Sequence, residues 1–167
     1  MLAATFAPGS ALCELSVSVQ PDSAGVDEGD DCLVGFYVGT DCTGLMGYDV
    51  IFSYDPAIVE IVSIEEGFLP AGSGHDTFFY PDTSETDSTV HVSGAILGAE
   101  VETPGYLFIV IFKGINAGKS YIDIEYSELR DDSNTSIPHS VERGVIVVVE
   151  AVPTKILSWG RLKAQYK

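Results

Sequence analysis

Apolar and polar residues alternate with a period of two along most of the chain, the repeat of a half-buried strand. Three segments show it best. Leu15, Val17 and Val19 face one way, with Ser16, Ser18 and Gln20 opposite. Tyr48, Val50, Phe52 and Tyr54 make one row, and Asp49, Ile51 and Ser53 the other. Ile122, Ile124 and Tyr126 oppose Tyr121, Asp123 and Glu125. Nine segments are predicted as strands: 14–19, 31–39, 45–54, 58–64, 77–80, 89–97, 106–113, 119–126 and 141–150. The runs LFIVIF at 107–112 and VIVVV at 145–149 are apolar on both faces, which predicts central or covered strands.

Turn residues fall between these runs. Pro21, Asp55-Pro56, Gly67, Gly72-Ser73-Gly74, Pro81-Asp82, Pro104-Gly105, Gly114, Gly118 and Pro138 punctuate the chain. Helical periodicity is nearly absent, apart from a possible single turn after Asp55. Short strands with such turns predict an all-β fold, a nine-stranded antiparallel jelly-roll sandwich. The sandwich is expected over 14–150. Residues 1–13 read as a flexible start or a processing remnant without the basic region of a signal peptide, and 151–167 as a linker and basic tail.

Charge narrows the partners. The 167 residues carry 25 acidic and 8 basic side chains, a formal charge of −17. Four of the basic residues, Lys155, Arg161, Lys163 and Lys167, lie in the tail, so the body is more acidic still. Such a surface repels nucleic-acid phosphates and anionic membranes, and suits cations or a basic protein face. No run of 18 apolar residues occurs. Cys32 and Cys42 flank a strand and are candidates for a disulfide, which would leave Cys13 over; no CxxC spacing suggests zinc.

Catalytic patterns are weak. No GxSxG is present, and the three histidines, His75, His91 and His139, are scattered. The acids cluster in turn-like stretches, where carboxylates usually cap their own turns, so no glycosidase pair stands out. Structural calcium is conceivable in the loops 82–87 and 131–134, with Asp82, Asp87, Asp131 and Asp132 as ligands, although neither matches an EF-hand loop. Asn134-Thr135-Ser136 fits a glycosylation sequon.

One stretch, GYDVIFSYDPAIVEIVSIEEG at 47–67, resembles the third and fourth strands of cohesin modules, with an aromatic row, Y-D-P, V-E-I and a Gly. The likeness continues in order through GFLPAG, DTFFYPD, STVHVSGAIL, GYLFIVIFKGINAGKSYIDI and SELRDDSNTSIPHSVERGVIVVV, and so covers 14–150. The resemblance implies a non-catalytic, extracellular or cell-surface binding module of a bacterium or archaeon. Its partner would be a dockerin-like protein module, a small calcium-dependent helical domain, docked on the flat face of the third, fifth, sixth and eighth strands. By position, Asp49 corresponds to a dockerin-facing aspartate and Tyr80 to an interface tyrosine, while His91, Ser93 and Ala95 occupy the exposed row of the sixth strand; Ile51 lies beside Asp49. Gly47 departs from the pattern, where an Asn is common.

Two other functions fit the same sandwich. A carbohydrate-binding module would read polysaccharide with coplanar exposed rings, and Phe78-Phe79-Tyr80 must expose at least one. A structural spacer would carry no site. The tail pattern Trp-Gly-basic-hydrophobic-Lys is similar to C-terminal sorting segments of some exported bacterial proteins.

Overall fold

The computed structural model describes residues 15–39, 44–86 and 88–151. Eleven strands and one short helix are found among them: β1 (Ser16–Gln20), β2 (Ser23–Asp27), β3 (Asp31–Gly39), β4 (Gly47–Ser53), β5 (Val59–Glu66), α1 (Phe68–Ala71), β6 (Thr77–Thr86), β7 (Thr89–Ile96), β8 (Gly105–Gly114), β9 (Gly118–Arg130), β10 (Ser140–Glu142) and β11 (Gly144–Val149). They form two sheets, β10-β1-β3-β8-β5 and β2-β11-β9-β4-β7-β6. The chain changes sheet at every strand-to-strand step except β6 to β7. That is the wrapping expected of a jelly roll, and the all-β sandwich expected from the sequence is what forms.

The differences are two extra strands and two parallel pairings. β2 was missed because SAGVD is short and holds a glycine. The predicted strand 141–150 breaks at Arg143, where the chain leaves β10 in one sheet and enters β11 in the other. β1 pairs with β10, and β2 with β11, both in parallel, while the remaining strand pairs are antiparallel. The ends of the sandwich are therefore zipped side by side.

Alternation places the core. In β4, Tyr48, Val50 and Phe52 are buried while Gly47, Asp49, Ile51 and Ser53 face outward. In β7, Val90, Val92, Gly94 and Ile96 point inward. Phe36 lies 4.7 Å from Phe52 and 4.3 Å from Phe108, stacked on the latter, so aromatic rings from both sheets meet at the centre. Tyr48 adds a polar tie. Its buried hydroxyl donates to the Leu107 carbonyl of the opposite sheet at 3.1 Å. Its ring lies on Gly94, where any Cβ would overlap it.

The two apolar runs are covered in part. Leu107 is buried in the core, but Ile109 and Ile111 stay partly exposed on the outer face of their sheet. Val145 and Val147 are likewise half-buried, and Val149 is exposed. After Asp55 the chain makes a turn, with Ile58 and Val59 amides donating to the Asp55 carbonyl.

The cysteine pairing is corrected. β3 is one continuous strand, so the seven steps from Cys32 to Gly39 span roughly 23 Å. Three more residues reach back by at most about 11 Å, and a disulfide needs Cα atoms within about 7 Å. Cys32 is a free thiol, raised in pKa first by burial and then by Asp31. Cys13, Cys42 and the tail lie outside the described residues.

Candidate functional site

The third, fifth, sixth and eighth strands of the sequence reading are β4, β6, β7 and β9. They lie side by side in the order β9-β4-β7-β6. Register turns their outward residues into three rows across the sheet. Phe78, Ala95, Gly47 and Arg130 form the first, and Tyr80, Ser93, Asp49 and Glu128 the second. Asp82, His91, Ile51 and Tyr126 form the third. The six predicted residues, Asp49, Ile51, Tyr80, His91, Ser93 and Ala95, thus share one face.

Its centre is a polar knot. Ser93 Oγ donates to Asp49 Oδ1 at 2.6 Å. His91 Nε2 lies 3.2 Å from the same carboxylate oxygen and 3.3 Å from Ser93 Oγ. The residue types are those of an acyl-transfer triad, but the connectivity is not. A triad holds its aspartate with one ring nitrogen and its serine with the other. Here one nitrogen faces both, and the serine proton goes to the aspartate. The arrangement fixes the three side chains on the sheet and provides no relay. His139 is likewise spent, with Nδ1 2.8 Å from the Ile137 carbonyl and Nε2 2.9 Å from Ser127 Oγ.

The flanks are aromatic and acidic. Phe78 and Tyr80 on β6 are half-exposed, with rings 6.4 Å apart and inclined by only 20°. Tyr126 lies across the sheet, three strand spacings or roughly 14 Å away. Two neighbouring rings therefore face solvent together, short of the strip of three that sugar reading would favour. Tyr126 donates to Glu128 at 2.8 Å, which raises the phenol pKa. Glu128 also accepts from Arg130 at 2.7 Å, and Arg130 in turn bonds the Asn134 carbonyl and side chain.

Tyr126, Glu128 and Arg130 escaped the sequence reading, which put Tyr126 on the inward row with Ile122 and Ile124. The ladder slips between Ile51 and Phe52, where Glu125 is the extra residue of β9 and moves Tyr126 outward. Alternation resumed in the opposite phase, with Leu129 buried and Arg130 outward, is the signal that was available.

The calcium candidates come out differently from the sequence reading. Residues 82–86 are the end of β6 and not a loop, because Asp82 pairs with His91 and Thr86 with Thr89. Asp82 Oδ1 accepts from both the amide and hydroxyl of Ser84, which lowers its pKa. Asp131 Oδ1 accepts from the Ser133 and Thr135 amides, and Asp132 Oδ1 from the Ser133 hydroxyl. These carboxylates cap their own turns, and among the described residues no group of three potential ligands gathers. Asp87 lies outside the described residues.

No family model matches the sequence, and no curated protein does. Solved structures match over most of their length. The seventh ScaB type I cohesin of Pseudobacteroides cellulosolvens is 17% identical with a TM-score of 0.71, over 85% of this chain and 96% of that one. A non-cellulosomal cohesin from the archaeon Archaeoglobus fulgidus is 18% identical with a TM-score of 0.69, over 81% and 91%. The Coh-OlpC–Doc435 cohesin–dockerin complex of Clostridium thermocellum matches at 14% identity and a TM-score of 0.70, over 87% and 100%. The fold of the described residues is that of the cohesin modules.

Proposed function

We propose that this chain is a non-catalytic docking module, and that a dockerin-like protein module lies on the outward face of β9, β4, β7 and β6. The observation that carries this is the face itself. Four adjacent strands present a polar cluster at the centre, small residues at one end, exposed rings at one edge and carboxylates around them. Small residues let a partner approach closely, and half-exposed aromatics are the usual anchors of a protein interface. Asp49, Asp82, Asp123, Glu125 and Glu128 outnumber Arg130 and Arg143 there, so the partner surface is basic and its encounter is steered by charge. The structural likeness adds support, since several of the similar cohesins were solved in complex with dockerins. The module works outside the cell or at the surface of a bacterium or archaeon.

The test is a pull-down from the secreted fraction, with and without calcium chelation, followed by calorimetry of the captured partner and of a panel of calcium-loaded dockerin modules. Wild type binds, chelation of the partner removes binding, and Asp49→Ala with Ile51→Asp abolishes it. That double variant should unfold within about 1 kcal/mol of wild type, since both side chains are half-exposed and Ser93 and His91 turn to water. Equal affinity for the double variant would refute the face.

A further inference from the structure

One end of the docking face is a groove. It is open to solvent, with a volume of about 530 Å³, between the β6–β7 edge and the 131–134 turn. Gly47 and Ala95, cross-strand neighbours, make its floor. Phe78 and Leu97, each about half exposed, make one apolar wall, and Arg130 with the turn makes the other. A cleft of this size takes a whole side chain and not just a methyl group.

Gly47 is the informative residue. Glycines that the fold requires are those where a Cβ would strike a neighbour, as at Gly94 against Tyr48 or Gly144 against Val19. A Cβ on Gly47 meets only the Gly94 carbonyl at 3.5 Å, an ordinary contact, and no left-handed backbone demands glycine there. Gly47 opens β4 and is paired on both sides, with Ala95 and Arg130; a glycine in such a ladder weakens it, and its usual reason is a fold contact or something else coming close. The fold supplies no contact that would forbid a side chain. What Gly47 does supply is space, because its side-chain direction is the outward row that holds Asp49 and Ile51.

Charge defines the occupant. Asp49, Asp131 and Asp132 line the groove, while the one cation in its wall, Arg130, is already bonded to Glu128 and Asn134. We propose that this groove is the anchor site for a bulky apolar side chain of the docked partner, flanked by a lysine or arginine that meets those carboxylates. The proposal rests on the docking reading above. It makes Gly47 a specificity-determining residue that trades strand stability for an open groove.

The test uses isoamylguanidinium, a branched apolar chain carrying a cation, with isoamyl alcohol and guanidinium chloride as controls. Amide shifts are followed by NMR on the full chain. Isoamylguanidinium should give saturable shifts at Gly47, Ala95 and Gly98 at about 10 mM, the regime of a weak single-site fragment. The alcohol should bind several-fold more weakly and guanidinium alone should leave these amides unmoved. Gly47→Val should melt at a higher temperature than wild type and lose both the fragment shifts and the partner. No saturable shift in wild type, or shifts that persist in Gly47→Val, would overturn the proposal. Ile51→Asp separates the two readings, because it lies outside the groove. If it abolishes partner binding while wild type takes no fragment, the groove fails and the docking face stands. If it leaves partner binding intact while the fragment still binds, the docking face fails.

Discussion

Replacing Tyr48 by Phe removes one oxygen atom and keeps the ring stacked on Gly94. That oxygen is the buried donor from β4 to the Leu107 carbonyl on the opposite sheet. Leu107 keeps a second donor, the Gly67 amide at 2.8 Å, so its carbonyl is not orphaned. The loss is then that of a single hydrogen bond, about 1 kcal/mol at neutral pH, which for a chain of this size lowers the melting temperature by about 2–4 °C. The pH dependence is more telling. Burial, and secondarily Glu66, raises the folded phenol pKa above its usual value near 10. A raised folded pKa means that the stabilisation is complete below the unfolded value and is lost as pH rises beyond it. Above about pH 10 the wild type should lose about 1.4 kcal/mol per pH unit relative to Tyr48→Phe, as the unfolded chain releases one more proton. The two stabilities should therefore cross near pH 11. Urea unfolding followed by circular dichroism from pH 7 to 11.5 measures this directly. A difference that stays constant across that range would refute the assignment of Tyr48 as a buried, neutral donor between the sheets.

Two further outcomes follow from the packing. Gly94→Ala forces a methyl into the Tyr48 ring and should cost about 1–3 kcal/mol, read as a lowered urea midpoint; an unchanged midpoint would mean that the ring does not lie there. The Cys32 thiol, held up in pKa by burial and Asp31, should alkylate far more slowly with iodoacetamide at pH 8 in the folded chain than in urea, by mass mapping of its peptide. Equal rates in the two states would contradict that burial.

Much of this was legible in the sequence. The row of Tyr48, Val50 and Phe52 told the inner face of β4 from the outer, because a single phase of alternation runs unbroken through that strand. It thereby put Asp49 and Ile51 outside. The six candidate residues could then be placed on one surface, though only with the order of strands that the cohesin resemblance brought. Alternation alone cannot say that Tyr80 sits opposite Ser93, since that register is set by backbone pairing and by bulges. The bulge in β9 shows the cost, turning Tyr126 from an expected core residue into part of the outer face. PDTSETD looks like a turn by composition, yet pairing with β7 extends it. The parallel pairs of β1 with β10 and β2 with β11 join segments more than a hundred residues apart, a contact that no local pattern records.

Those parallel pairs bear on how the module responds to mechanical load. A pull on Leu15 in one direction and on Ala151 in the other draws β1 and β2 lengthwise against β10 and β11. The eight paired positions between them are then sheared together and cannot be unzipped one by one. A sandwich clasped in this way would hold under tension between Leu15 and Ala151 while the outward face of β9, β4, β7 and β6, built on other strands, stays undistorted.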